Sequence, residues 1–273
     1  MCTNKNKTVK SLTRPLNNHG CGKTQKRRSP RYNPLSKHQK MAEIMREACS
    51  HNENSNPLKP SSGQVMKLIK CGYNFNDMTI ETWYHFLKEN LLIDQLFTVR
   101  GGSTKKVSLT IRCQKLAKML ANSDGSMKHC YMMDGHGRTL FMLVEALLLS
   151  GISFEEMEGK IHVVDIDEYS HQWHMHAFPK GIDSIQSNIF HLEIPKSAIL
   201  YLNFCGIGGC IEQTKSTILN RFHNTTMLSL SITKRFDDKA KKPLMMVNFL
   251  KTQCAFFDTI ESDRGDGFDT YTM

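Results

Sequence analysis

Residues 198–209 read AILYLNFCGIGG. A run this apolar, seven residues long and closed by a glycine-rich turn, has the length and composition of a strand buried on both faces rather than of a helix. The same pattern extends outward on either side. Residues 161–166 (IHVVDI) are a β-branched run that ends in acids, and residues 130–133 (CYMM) form a short buried-strand candidate. Between them lie DGHGRT at 134–139 and an apolar helix that Gly151 closes. A helix is expected from about Glu168 to just before Pro179, and a third, shorter strand over residues 187–192 (SNIFHL). The turn at 205–209 should lead into a helix reaching about Phe222, with a further strand at 227–233 (MLSLSIT). Strands alternating with helices require right-handed crossovers, so residues 128–273 are expected to form an α/β domain with a doubly wound, mostly parallel sheet.

The region before that domain reads differently. Residues 57–127 carry helical periodicity. Ser61 and Gln64 have capping-box spacing, with Val65, Leu68 and Ile69 on one face until Gly72. A longer helix is expected over Asp77–Phe97, ended by Gly101-Gly102. A third amphipathic segment, Leu109–Leu120, sets Arg112, Lys115 and Lys118 opposite its leucines, which reads as an ordinary solvated helix face. Residues 1–56 form a basic tail with few large apolar side chains, expected to be disordered because it cannot bury enough surface to offset the entropy of ordering.

The net charge of +10 belongs to that tail. Residues 1–60 hold 13 Lys/Arg and 3 Asp/Glu, whereas the other 213 residues hold 23 of each sign. The run KTQKRRSPR at 23–31 can bind phosphates by counterion release or serve as a nuclear-import signal, so nucleic acid is the expected partner of residues 1–60. The nine cysteines contain no C-x-x-C pair, which argues against a disulfide framework or zinc ribbon. With no apolar signal segment at the start and no apolar run long enough to span a membrane, an intracellular location, nucleus or cytoplasm, is expected without a membrane partner.

In a sheet of this type a ligand lies at the carboxyl ends of the strands. The residues expected there are Asp134, Gly135 and Gly137 after the first strand, Asp165 and Asp167 after the second, Asn188 with Ser187 at the third, and Asn203 with Phe204 at the end of the fourth. Glycines admit close backbone approach, and a strand-end carboxylate can accept both hydroxyls of a ribose. The set suits an adenosine-containing ligand.

A Gly loop after strand one, acids ending strand two, a polar residue at strand three and an Asn-aromatic pair ending strand four together resemble the class I S-adenosylmethionine-dependent methyltransferases, over about residues 128–273. Residues 254–259 and 268–273, flanking the turn ESDRGDG at 261–267, resemble the closing antiparallel hairpin of that sheet. The resemblance implies S-adenosylmethionine as cofactor. It places Gly135 and Gly137 at the methionine end and Asp165 or Asp167 at the ribose, with Asn203 and Phe204 facing the acceptor. No Pro-Pro follows Asn203, where the family carries one.

Competing chemistries exist. Asp134, Asp165 and Asp167 have the oxygen ligands of a magnesium-dependent nuclease, and a non-catalytic nucleic-acid-binding scaffold is a further alternative. Cys205 is read as packing a tight turn rather than as a nucleophile. His171, His174 and His176 are read as histidines on the cofactor-side surface, and no metal is expected.

Overall fold

The computed structural model describes residues 60–72, 74–90, 102–195, 197–204, 227–233, 258–260 and 268–272, with Thr252 and a few positions between 36 and 46. The basic run at 23–31, residues 91–97, the turn at 205–209, the helix expected up to Phe222 and the turn at 261–267 lie outside the described residues.

The helices are α1 (Ser62–Lys70), α2 (Ile80–Glu89), α3 (Gly102–Leu120), α4 (Arg138–Leu149), α5 (Phe154–Met157) and α6 (Glu168–Ala177). The strands are β1 (Cys130–Met132), β2 (Ile161–Asp165), β3 (Ile182–Gln186), β4 (Ile199–Phe204), β5 (Met227–Thr233), β6 (Asp258–Ile260) and β7 (Phe268–Thr272). They form one seven-stranded sheet of order β3-β2-β1-β4-β5-β7-β6. The first five are parallel, and β7 runs antiparallel to both β5 and β6. This is a Rossmann-like α/β fold with the antiparallel closing hairpin expected from the sequence.

The capping box at the start of α1 forms as spaced: Ser61 Oγ accepts from the Gln64 amide while Gln64 Oε1 accepts from the Ser61 amide. Helix α4 is buried on nearly every side because it lies between the sheet and the helices that precede the sheet in sequence. Tyr84 of α2 stacks on Phe141 of α4 at 5.1 Å, and the Trp83 indole donates to the Ala177 carbonyl at the end of α6. One continuous core therefore runs from Val65 and Trp83 through α4 to Tyr201 of β4.

Three expectations change. Helix α2 is described from Ile80, where Thr79 accepts from the Thr82 amide as its cap, rather than from Asp77, which lies in a preceding 3-10 turn. Gly102 opens α3 instead of closing the unit before it, so that helix is longer than the apolar pattern alone indicated. The third strand is Ile182–Gln186, and residues 187–192 follow it. IDSIQ carries only two apolar residues, one on each face, because β3 is the edge of the sheet, paired only with β2, and so lacks the all-apolar signature of its neighbours.

Right-handed crossovers place α4 and α6 on one face of the sheet. His171 Nδ1 lies 2.9 Å from Ser184 Oγ, which fixes Ser184 on the α6 side and its neighbour Asp183 on the other. The connection from β3 back to β4 runs in the opposite sense along the sheet, and its described residues in 187–198 contain no helix. Asn188 turns it, and Ile189 and Phe190 are buried.

Candidate functional site at the carboxyl ends of the strands

The strand order reverses between β1 and β4, since β2 and β3 continue on one side of β1 and β5 on the other of β4. That reversal opens the crevice where ligands enter sheets of this type. The segment after β1 is tied down residue by residue. Asp134 is buried, and its Oδ2 accepts from the Leu140 amide at 2.7 Å, joined by bonds from the Gly137 and Thr139 amides. The carboxylate thus caps α4. Burial nevertheless dominates over these bonds and over Arg138, pushing its pKa up to about 6.

The next three residues are held by α6 and by Phe178, which follows it. The Gly135 carbonyl lies 3.1 Å from His174 Nε2, and the His136 carbonyl accepts from the Trp173 indole at 3.3 Å. Gly137 sits at φ +92°, and a Cβ there would lie 2.6 Å from Phe178 Cε1. The close approach that requires glycine at 137 is that of the Phe178 ring.

Asp165 ends β2, where its Oδ1 accepts from the Asp167 amide at 2.9 Å. No described residue bonds its Oδ2. Asp167 acts differently, because its Oδ2 accepts from the amide and hydroxyl of Ser170 and so caps α6. Between the two acids Ile166 is 66% exposed. Ile166 was not among the residues expected at the site, yet its signal is present in the sequence, since a large apolar side chain between two strand-end acids has nowhere to bury.

Asn188 lies just past the carboxyl end of β3, not at the opening of a strand. Its Oδ1 accepts from the Phe190 amide and its carbonyl from the His191 amide, while the Ser187 amide bonds back to the Asp165 carbonyl. Asn203 and Phe204 are the last residues of β4, in register with Ser231 and Ile232 of β5. The structure thus brings Asp134, Gly135 and Gly137, Asp165 and Asp167, Asn188, and Asn203 with Phe204 to one end of the sheet.

Arg112, expected on a solvated face, is instead buried, its guanidinium donating to the Tyr201 hydroxyl at 3.3 Å. Burial pushes the Tyr201 pKa up to about 12 despite that neighbour. His174 is likewise interior, stacked on Phe178 at 4.5 Å, and desolvation lowers its pKa to about 4. With His171 on Ser184 and His174 on Gly135, these histidines of α6 serve packing. No group of three His, Cys, Asp or Glu side chains among the described residues could hold a metal ion. No helix among them is long and apolar enough to cross a membrane.

No family model matches the chain, and no curated protein matches it. Solved structures do resemble it. The plantazolicin methyltransferase BpumL in complex with SAH is 10% identical, with 71% of this chain and 93% of that chain covered and a TM-score of 0.40. Aeropyrum pernix fibrillarin with bound S-adenosyl-L-methionine is 10% identical, covering 61% of this chain and 76% of that one at a TM-score of 0.38. The 23S rRNA methyltransferase ErmE is 11% identical, covering 62% and 67% at 0.37. The fold assignment rests on the strand order and pairing of this sheet itself.

Proposed function

We propose that this protein binds S-adenosylmethionine across the carboxyl ends of β1, β2 and β3 and acts as a methyltransferase. The observation that carries the reading is the end of β2 within a sheet of order β3-β2-β1-β4-β5-β7-β6. There Asp165 keeps Oδ2 without a partner among the described residues, beside the exposed Ile166. A carboxylate oxygen accepts from a ribose hydroxyl, and an exposed aliphatic face packs an adenine ring. Asp134 is committed to α4, so it acts by shaping the 134–137 loop against which the methionine end would lie.

The cofactor supplies an electrophilic methyl group on a sulfonium. This chain's residues hold it and align an acceptor nucleophile, so proximity contributes most of the rate. Asn203 and Phe204, ending β4 on the other side of the crevice, are assigned to the acceptor. Nucleic acid is the first acceptor to test, because the excess positive charge is concentrated in residues 1–60. The missing Pro-Pro after Asn203 favours, as second reading, a scaffold that binds without transferring.

Calorimetry of the full chain with S-adenosylmethionine and with its demethylated product tests the first step. Micromolar binding is expected, weakened at least tenfold by Asp165→Ala. Absence of heat with both ligands refutes the cofactor assignment. Binding that survives Asp165→Ala refutes the site, and binding without methyl transfer to RNA, DNA or protein selects the scaffold.

A further inference from the structure

A second cluster lies at the opposite, amino end of the sheet. Tyr131, His162 and Asp183 are directly opposed on β1, β2 and β3, and therefore share one face. His129, two residues before Tyr131, joins them on that face. His162 Nδ1 lies 2.8 Å from Asp183 Oδ2, and His162 Nε2 lies 2.8 Å from His129 Nδ1. The two imidazoles are within 12° of parallel with centroids 5.2 Å apart, a spacing at which the shared hydrogen bond runs nearly in the ring planes. Tyr131 stacks on His162 at 4.3 Å and fixes its tilt. Backbone bonds from Cys130 to Lys160 and from Ile199 to His129 hold the row in place.

We propose that Asp183, His162 and His129 form a proton relay whose acting atom is Nε2 of His129, a basic site separate from the strand-end crevice. The tautomers follow from the partners. Asp183 only accepts, so His162 carries its proton on Nδ1 and is bare at Nε2. His129 must then donate from Nδ1, which leaves the lone pair on Nε2, an atom with no partner among the described residues. Both rings are neutral near pH 7, since burial and the Lys160 ammonium lower their pKa values more than Asp183 raises them. Among the described residues, the groups facing the pair are Lys160 before β2, Asp183 on β3 and the Tyr131 phenol on β1. In the connection from β3 to β4, His191 and Glu193 are exposed.

An arriving proton balances without breaking the chain. It binds His129 Nε2, the shared proton moves from His129 Nδ1 to His162 Nε2, and the positive charge comes to rest on His162 against the Asp183 carboxylate. His129 remains neutral with its hydrogen now on Nε2. A hydrogen-bonded histidine without relay would instead hold the charge where the proton lands.

Nitrogen-15 NMR of the full chain with labelled histidine reads each ring's tautomer directly. At pH 8 both rings should carry the proton on Nδ1, and on acidification His162 should become the imidazolium while His129 switches to the Nε2-protonated neutral form. Asp183→Ala should return His129 to the Nε2-protonated form at pH 8 and lower the first titration by about one pH unit or more. His162→Phe keeps a ring beside Tyr131 and should also release the His129 tautomer. An Nε2-protonated His129 in the unaltered protein at pH 8, or a His129 tautomer indifferent to both substitutions, overturns the relay.

Discussion

Replacing Gly137 by alanine isolates the contact that shapes the loop after β1. Two costs add. Holding a side chain at φ +92° costs about 1–2 kcal/mol, the penalty of the left-handed region for an L-residue. The new Cβ would also stand 2.6 Å from Phe178 Cε1. That ring is 1% exposed and backed by His174, itself held at the Gly135 carbonyl, so it cannot withdraw freely. Overpacking of this kind costs about 1–3 kcal/mol, giving about 2–5 kcal/mol in all for Gly137→Ala. In a Phe178→Leu background the clash is gone and only the dihedral cost of about 1–2 kcal/mol should remain. The double-mutant cycle should therefore show a coupling of about 1–3 kcal/mol, with the double variant more stable than the sum of the singles. Urea unfolding followed by the fluorescence of the buried Trp83 and Trp173 measures all four proteins. Additivity within about 0.5 kcal/mol would refute the claim that Phe178 is what excludes a side chain at 137.

Four further outcomes are expected. Asp134 has a folded-state pKa of about 6 against an ordinary 3.8, so the native state takes up the proton first and gains stability as pH falls through that window. Relative to Asp134→Asn, the unaltered protein should gain about 2 kcal/mol between pH 6 and 3.8, and a flat difference contradicts the assignment. His174 works in the opposite sense: its pKa of about 4 against 6.5 means the unfolded chain is protonated first, and about 3 kcal/mol is lost as pH falls from 6.5 to 4. Acid titration of His174→Gln should lack that loss. The two strand-end acids should separate: Asp167→Ala removes a helix cap and costs about 1 kcal/mol with cofactor affinity nearly kept, whereas Asp165→Ala lowers affinity with little change in the urea midpoint. Tyr201→Phe should cost about 1–3 kcal/mol, because the Arg112 guanidinium loses a buried acceptor, and a neutral substitution would place that contact outside the folding energetics.

The legible parts of the sequence were those where burial alone decides. AILYLNF and IHVVDI are apolar because β4 and β2 are interior strands. IDSIQ was not legible as a strand, since an edge strand with Asp183 and Ser184 facing opposite sides carries no apolar run. The position of Gly137 was legible but its reason was not, because Phe178 approaches it from 41 residues away and no local pattern records that contact. Arg112 misled for the same reason: spacing puts it with Lys115 and Lys118, and its contact with the phenol of a distant strand leaves no local pattern. Asp165 and Asp167 look interchangeable as strand-end acids, and hydrogen bonding separates the helix cap from the carboxylate whose Oδ2 has no partner among the described residues.

The segment 134–137 has each of its four residues anchored to a helix or to the ring that follows one: Asp134 to the start of α4, Gly135 and His136 to rings of α6, and Gly137 against Phe178. A glycine-bearing loop in water samples many backbone states, and a ligand that selects one of them gives up that freedom on binding. Here folding has already removed it. A molecule docking on this loop meets a preorganised surface, so its affinity should depend little on loop stiffening, and loosening the anchors at His174 or Trp173 should weaken binding without removing any atom that touches the ligand.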